Sequence, residues 1–145
     1  GLDKSFYESV LEDNQLRIIY NDTYNLLNNS YAGLVTSGTA TLETALFNVP
    51  QVVCYQTSSI SYHIAKRLVS IKYISLVNLI LDREVVTELI QNDLNVERLG
   101  TEFELILKGE SREKQLKAYQ ELNDLCGGIG ASENTAKGMI AVANS

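Results

Sequence analysis

Short apolar runs alternate with helical patterns along most of this chain. Runs rich in β-branched residues predict short strands at residues 16–20, 31–35 and 51–55. A further short strand is predicted at residues 73–76, followed by a turn at Asn78. Strands that alternate with helices indicate parallel βαβ units. The expected fold is therefore α/β, an open, Rossmann-like parallel sheet with helices on both faces.

Apolar residues at helical spacing predict the helices between and after these strands. A brief helix is capped by Asn21 or Asp22, and a helix after Gly38 ends near Asn48, where Pro50 prevents its continuation. The other predicted helices cover residues 2–12, 61–68, 82–91, a segment capped by Asn95, and residues 111–125 and 132–142. The C-terminal part of the chain is thus expected to be rich in helix.

Composition sets the size of the molecule and excludes several classes. A chain of 145 residues is long enough for a hydrophobic core, and we expect residues 1–145 to form a single domain. The net charge of −6 argues against a nucleic-acid partner. One histidine and two distant cysteines give no metal-ligand spacing. The sequence has no run long enough to span a membrane and no secretory leader, which leaves a peripheral membrane role open.

The turn at residues 36–39 carries the clearest candidate chemistry. It leads from a predicted strand into a helix, where unpaired N–H groups and the positive end of the helix dipole coincide. Gly38 lets the backbone approach a ligand closely, and Ser37 and Thr39 add hydroxyl groups. This combination indicates a binding site for a phosphate or diphosphate. The alternative is an ordinary N-cap, but ligands of open α/β sheets bind at the carboxyl ends of strands.

Several segments, taken in order, resemble the lipid-A-disaccharide synthase family of two-domain glycosyltransferases with the GT-B fold. The matching segments are TSGTATLE at 36–43, PQVVCY at 50–55, IAKRLV at 64–69, YISLVNLI at 73–80, ELIQ at 88–91 and GASE at 130–133. Each is weak alone, whereas their order and spacing are specific. The family usually has Pro where this chain has Val77. The resemblance implies a partial GT-B C-terminal domain, the nucleotide-sugar-binding half of a longer enzyme.

The family's reaction defines the implied function. An inverting hexosyltransferase moves 2,3-diacylglucosamine from UDP-2,3-diacylglucosamine to 2,3-diacylglucosamine 1-phosphate in lipid A biosynthesis of Gram-negative bacteria. The resemblance places the acceptor site and the catalytic base in an N-terminal domain, so we expect no catalytic residue and no activity in this chain alone. GT-B enzymes generally stabilise the departing diphosphate without a metal, and no cofactor is expected.

Two other classes stay open. The first is another GT-B enzyme, such as a UDP-GlcNAc epimerase or a UDP-GlcNAc transferase. The second is a non-catalytic, flavodoxin-like binding domain. Titration with a uridine nucleotide separates a binding enzyme from an interaction domain, because only the former offers a nucleotide site.

The resemblance also implies a set of UDP-sugar-binding residues. Ser37, Gly38 and Thr39 are expected at the diphosphate. Glu43, one helical turn further, is expected to accept hydrogen bonds from the ribose, unless it serves only the helix dipole. The remaining members of the set are Tyr55, Asn78 and Gln91. A core position for Tyr55 and a turn-forming role for Asn78 are the simpler alternatives.

Lys66, Arg67, His63 and the C-terminal segment are further candidates for a role in binding or assembly. Lys66 and Arg67 either contact an anionic group or form a solvated helix face, and packing is favoured over catalysis for His63. The family resemblance implies a location in the cytoplasm, peripheral at the inner membrane. It also implies a homodimer with exchanged C-terminal segments, for which the glycines at 127–130 would form the hinge.

Overall fold

The computed structural model describes residues 6–7, 16–36, 38–57, 72–127 and 130–143. Its strands are β1 (Gly33–Thr36), β2 (Gln51–Tyr55) and β3 (Glu88–Ile90). Its helices are α1 (Thr23–Asn28), α2 (Thr39–Leu46), α3 (Leu76–Leu81), α4 (Val96–Leu107), α5 (Glu110–Leu125) and α6 (Ala131–Ala143). A 3-10 turn, Gln91–Asp93, follows β3 directly.

The three strands form one parallel sheet in the order β1-β2-β3. Successive residues of β2 face opposite sides of the sheet, as the pleat requires. Val53 packs in a cluster with residues of α2, α3 and α5, including Ala45 and Leu122. Val52 packs on the other side with Leu89 and Ile106, where Ile106 comes from α4. The predicted open parallel sheet with helices on both faces is confirmed.

A buried hydrogen-bond network joins β2 to α2 and α5. The backbone N–H of Gln51 donates to Oε1 of Gln115 at 2.9 Å, and Nε2 of Gln115 donates to the Gln51 carbonyl at 3.2 Å. The side-chain Nε2 of Gln51 donates to the Thr41 backbone carbonyl at 2.9 Å, and the Tyr119 hydroxyl donates to Oε1 of Gln115 at 2.9 Å. Burial raises the pKa of Tyr119, so its phenol stays protonated and remains a donor.

Two of the predicted helix boundaries, at Asn48 and at Asn95, are confirmed. α2 ends before Asn48, which adopts a left-handed φ of 56°, and Pro50 follows two residues later. Asn95 caps α4, since its side chain accepts a hydrogen bond from the Arg98 N–H at 3.0 Å. Asp22 occupies the N-cap position of α1 but makes no side-chain cap bond. Local sequence therefore sets these boundaries.

The strand predicted at residues 16–20 does not form. This segment has no regular secondary structure, and Leu16, Ile19 and Tyr20 are all exposed. A strand forms only when a neighbour pairs with its backbone groups. Among the described residues the sheet ends at β1, so this segment has no strand beside it.

The chain between residues 73 and 91 also differs from the prediction. Residues 73–76 form no strand, because Ser75 caps α3 by accepting a hydrogen bond from the Asn78 N–H at 3.3 Å. Asn78 therefore lies in a helix and not in a turn. Asp82 ends α3 in a left-handed conformation, φ 47°, and does not start a helix. Residues 88–90 instead pair with β2, whose free edge outweighs the helical composition of this segment.

Some predictions fall outside the described residues. They are the helix at 61–68, with His63, Lys66 and Arg67, and nearly all of the helix at 2–12. Within the described ranges, no helix is both long enough and apolar enough to span a membrane.

We expect Gln115→Leu to lower the free energy of unfolding by about 2–4 kcal/mol, because it leaves the buried N–H and carbonyl of Gln51 unpaired. Gln120→Leu is the control. Gln120 lies on the same helix, and its side chain bonds to Asn48 at the surface, so a change within about 0.5 kcal/mol is expected. Urea unfolding measures both. Equal losses would show that the buried network contributes nothing specific.

Candidate functional site

The carboxyl ends of the parallel strands meet at one edge of the sheet, and several predicted site residues lie there. Thr36 ends β1, Tyr55 ends β2, and Gln91 directly follows β3. Tyr55 is aligned with Ile90 in the sheet register, so Tyr55 and Gln91 belong to neighbouring strand ends. Adjacent strands lie about 4.8 Å apart, so the three ends span about 10 Å. Residues from separate segments are thus brought to one edge.

Gly38 and Thr39, which we call the Gly38 turn, form an open start to α2. Both residues are exposed, and Gly38 is the N-cap of the helix with φ 127° and ψ −158°. An L side chain rarely adopts this φ, although a Cβ on Gly38 would meet no atom within 4 Å. Conformation, and not crowding, is therefore what requires glycine. Ser37 lies outside the described residues.

The Gly38 turn has hydrogen-bond donors to offer. Within the part of the chain that the structure describes, no hydrogen bond uses the backbone N–H groups of Thr39 and Ala40. Because the N-cap is a glycine, it has no side chain with which to cap the helix. The arrangement has the free amides and helix dipole that suit an anion.

Glu43 lies one helical turn beyond Thr39 and is half-buried. Its carboxylate makes no hydrogen bond or ion pair with any other described residue. A carboxylate so placed keeps its full capacity to accept hydrogen bonds from a ligand.

Gln91 combines an unusual backbone with an unpaired donor. Its φ of 53° lies in the left-handed region, which is uncommon for a residue other than glycine. Its side-chain Nε2 is buried and has no hydrogen-bond partner among the described residues. An unpaired buried donor costs about 1–3 kcal/mol. Tyr55, on the neighbouring strand, is 36% exposed.

Asn78 lies away from solvent and is fully engaged by the protein. It is completely buried in α3. Its Nδ2 donates to the Val86 carbonyl at 2.8 Å and to Oε1 of Glu88 at 2.9 Å. Its Oδ1 accepts from the N–H groups of Val85 at 2.7 Å and Val86 at 3.0 Å. All four hydrogen-bonding positions of the amide are used within the protein. The amide of Asn78 therefore has no hydrogen-bonding position left for a ligand in this conformation, and the UDP-sugar contact that the sequence predicts for it stays a prediction.

Glu88, which accepts a hydrogen bond from Asn78, was not among the residues that the sequence predicted. Its carboxylate accepts hydrogen bonds from the backbone N–H groups of Ile74 at 2.9 Å and Ser75 at 3.0 Å. It also accepts from the Ser75 hydroxyl at 2.7 Å and from Asn78. The carboxylate thus holds the start of α3 against β3. No signal for this role was present in the sequence, because the pattern over residues 82–91 predicts a helix and not a strand beside the start of α3.

A cavity of about 460 Å³ lies elsewhere, between the loop that precedes β3 and helices α4 and α5. Its lining includes Thr87, which lies at the amino end of β3, and none of the predicted site residues. Two charged residues of this lining, Arg83 and Glu121, pair with each other. The cavity therefore lies apart from the carboxyl edge. No group of three or more His, Cys, Asp or Glu side chains in the described ranges could hold a metal ion.

Comparison with known proteins identifies one family. The family model described as lipid-A-disaccharide synthetase matches residues 4–142. A lipid-A-disaccharide synthase of Syntrophus aciditrophicus is 40% identical over 122 residues, which cover 83% of this chain and 32% of that protein. The matches give no support to another GT-B enzyme or to a flavodoxin-like domain.

Two further relatives bear the same name. The lipid-A-disaccharide synthase of Anaeromyxobacter dehalogenans (strain 2CP-1) is 37% identical over 129 residues, 88% of this chain and 34% of that protein. The one of Solibacter usitatus is 33% identical over 134 residues, 91% of this chain and 35% of that protein. The chain spans about a third of the length of the curated relatives it matches.

If Asn78 has a structural role, Asn78→Ala should lower the free energy of unfolding by about 2–4 kcal/mol, because buried backbone groups lose their partners. Asn95→Ala, which removes an exposed helix cap, should cost about 1 kcal/mol and serves as the control. Urea unfolding with circular dichroism measures both variants. A loss for Asn78→Ala no larger than that for Asn95→Ala would contradict the structural role.

Proposed function

The chain belongs to the lipid-A-disaccharide synthetase family, and on this premise we propose that it forms the UDP-sugar-binding part of a lipid-A-disaccharide synthase. In this proposal the chain is most of the C-terminal domain of a two-domain GT-B enzyme. The enzyme transfers 2,3-diacylglucosamine from UDP-2,3-diacylglucosamine to 2,3-diacylglucosamine 1-phosphate. The observation that carries the proposal is the open Gly38 turn at the carboxyl edge of a parallel sheet, in a chain that the family model matches nearly throughout.

The Gly38 turn binds the diphosphate of the donor. The N–H groups of Thr39 and Ala40, which no described residue accepts, and the helix dipole favour an anion at this position. The Thr39 hydroxyl adds a donor, and Ser37, which lies outside the described residues, is proposed as a further one. These groups gain strength as the bond to the sugar breaks and negative charge develops on the departing UDP.

The uridine half of the donor lies along the same edge. Glu43 accepts hydrogen bonds from the ribose hydroxyls, which its unused carboxylate permits. Gln91 supplies its buried Nε2 to an acceptor on the ligand, which removes the cost of the unpaired donor. Tyr55, partly exposed between these positions, lines the cleft.

The transfer needs a base on one side of the cleft and, on the other side, groups that stabilise the departing UDP. A base on the N-terminal domain takes the proton from the 6-hydroxyl of the acceptor. The hydroxyl oxygen then forms a bond to the anomeric carbon while the bond from that carbon to the diphosphate oxygen breaks. Attack from the opposite face inverts the configuration and gives a β-1,6-linked disaccharide and UDP. This chain stabilises the leaving group, and the N-terminal domain positions the acceptor.

The acyl chains of both sugars imply a location for the enzyme. Substrates that carry acyl chains remain in or at a bilayer because each buried CH₂ contributes about 0.8 kcal/mol. We therefore place the enzyme in the cytoplasm, peripheral at the inner membrane.

A homodimer is also part of the proposal. The C-terminal helix α6 has exposed apolar side chains at Met139 and Ile140. We propose that they contact a second copy of the enzyme, with the glycines before α6 as the hinge for the exchange.

Glu43→Ala in the full-length enzyme should weaken UDP binding roughly 10- to 150-fold, because a charge-assisted hydrogen bond contributes ~1.5–3 kcal/mol. The loss should shrink for 2′,3′-dideoxy-UDP, which lacks the ribose hydroxyls. Calorimetric titration of wild type and variant with both ligands measures this difference.

The control for Glu43→Ala is Glu97→Ala. Glu97 is an exposed carboxylate in the first turn of α4, so its removal should leave the affinity for both nucleotides unchanged. Equal losses for UDP and its dideoxy analogue in Glu43→Ala, or no loss for either, would reject the ribose contact.

The 145-residue chain alone should form no disaccharide from the two acylated sugars. Half of a cleft binds the donor but positions no acceptor and supplies no base. A radiolabelled-donor assay with this chain and with the full-length enzyme tests the expectation. Turnover by the chain, purified free of the full-length enzyme, would show that catalysis needs no second domain.

A further inference from the structure

We propose that Thr41 is a positioning residue for the Gly38 turn, an inference that rests on the diphosphate role proposed above. Thr41 is completely buried in the first turn of α2. Its hydroxyl donates to the Gly38 carbonyl at 2.8 Å, and its backbone N–H donates to the same carbonyl at 3.2 Å. Two donors thus hold one carbonyl oxygen from inside the protein.

This carbonyl shares a peptide group with the N–H of Thr39. In a planar trans peptide the C=O and N–H bonds point in opposite directions. Holding the Gly38 oxygen toward Thr41 therefore directs the Thr39 N–H outward, toward the open edge. Because Gly38 has no Cβ to restrict rotation about its backbone bonds, the orientation of this peptide group depends on such contacts. Thr41 acts on the ligand through the orientation of this amide and does not itself touch the ligand.

The Thr41 hydroxyl also connects the turn to the rest of the fold. It accepts a hydrogen bond from the N–H of Leu76, the first residue of α3, at 3.3 Å. The start of α3 is in turn held by the Glu88 carboxylate. The orientation of the Gly38 turn is thereby tied to α3 and β3, and a change at Thr41 removes both contacts together.

Thr44 is a matched control within the same helix. It is also buried, and its hydroxyl donates to the Ala40 carbonyl at 2.7 Å, four residues earlier. This bond is local to α2 and makes no connection to the Gly38 turn or to α3. Thr41→Val and Thr44→Val each remove one buried threonine hydroxyl, but only Thr41→Val removes a contact to the Gly38 turn.

The test uses Thr41→Val, Thr41→Ser and Thr44→Val in the full-length enzyme, titrated with UDP and with uridine. Thr41→Val should weaken UDP binding about 5- to 20-fold, the effect of one hydrogen bond, and leave uridine binding within about twofold. Thr41→Ser restores the hydroxyl and should recover the UDP affinity. Thr44→Val should behave as wild type with both ligands. Hydrogen exchange across residues 38–43 should accelerate in Thr41→Val and not in Thr44→Val.

The outcomes separate this inference from the proposed function. A wild-type enzyme that binds UDP no more tightly than uridine would overturn the diphosphate role, and the inference with it. A wild type that prefers UDP, beside a folded Thr41→Val with the same preference, would overturn the inference alone. Equal losses for UDP and uridine in Thr41→Val would indicate general destabilisation and also overturn it. If Thr41→Val does not fold, Thr41→Ala removes the same hydroxyl without placing a methyl group against the Gly38 carbonyl, and it is judged by the same outcomes.

Discussion

The carboxylate of Glu88 accepts hydrogen bonds from Ile74, from both the N–H and the hydroxyl of Ser75, and from the amide of Asn78. A charged acceptor with several donors is among the strongest arrangements available inside a protein. It fixes the start of α3 on β3, and Asn78 extends the same network to the loop before that strand. Removing the carboxylate would leave those donors unpaired, so the position of α3 depends on it.

A second hydrogen-bond network holds β2, the strand that pairs with β3. The side chain of Gln115 pairs with both backbone groups of Gln51, and Gln51 reaches α2 through the Thr41 carbonyl. The apolar clusters on the two faces of the sheet supply most of the burial, but burial has no direction. Hydrogen bonds have direction, so the two networks set the register of α2, α3 and α5 against the strands. Thr41 contacts both networks, which explains why a buried threonine can influence an exposed turn.

The carboxyl edge has the opposite character. Among the described residues, the backbone N–H groups of Thr39 and Ala40 make no hydrogen bond, Gln91 has a left-handed φ and an unpaired Nε2, and the Glu43 carboxylate has no partner. Water can satisfy the exposed groups, whereas the buried Nε2 of Gln91 costs stability until an acceptor reaches it. These are the groups that the proposed UDP-sugar site uses.

The sequence alone determined the elements whose signals are local. Pro50 and Asn48 end α2, Asn95 starts α4, and an almost wholly apolar run makes β2 a buried strand. It also indicated the Gly38 turn, since the small residues, the glycine and the helix start are consecutive, and the order of its motifs pointed to the family.

Only the tertiary structure decided the rest. Residues 88–90 became a strand because β2 offered an edge, whereas residues 16–20 have no strand beside them among the described residues. Asn78 and Gln91 were both candidates in the sequence, with Gln91 the weaker, yet the amide of Asn78 is fully paired and Nε2 of Gln91 has no partner among the described residues. The partners of Asn78 are Val85, Val86 and Glu88, and they reach its amide only because residues 88–90 pair with β2, a pairing that the helical pattern of this segment does not predict.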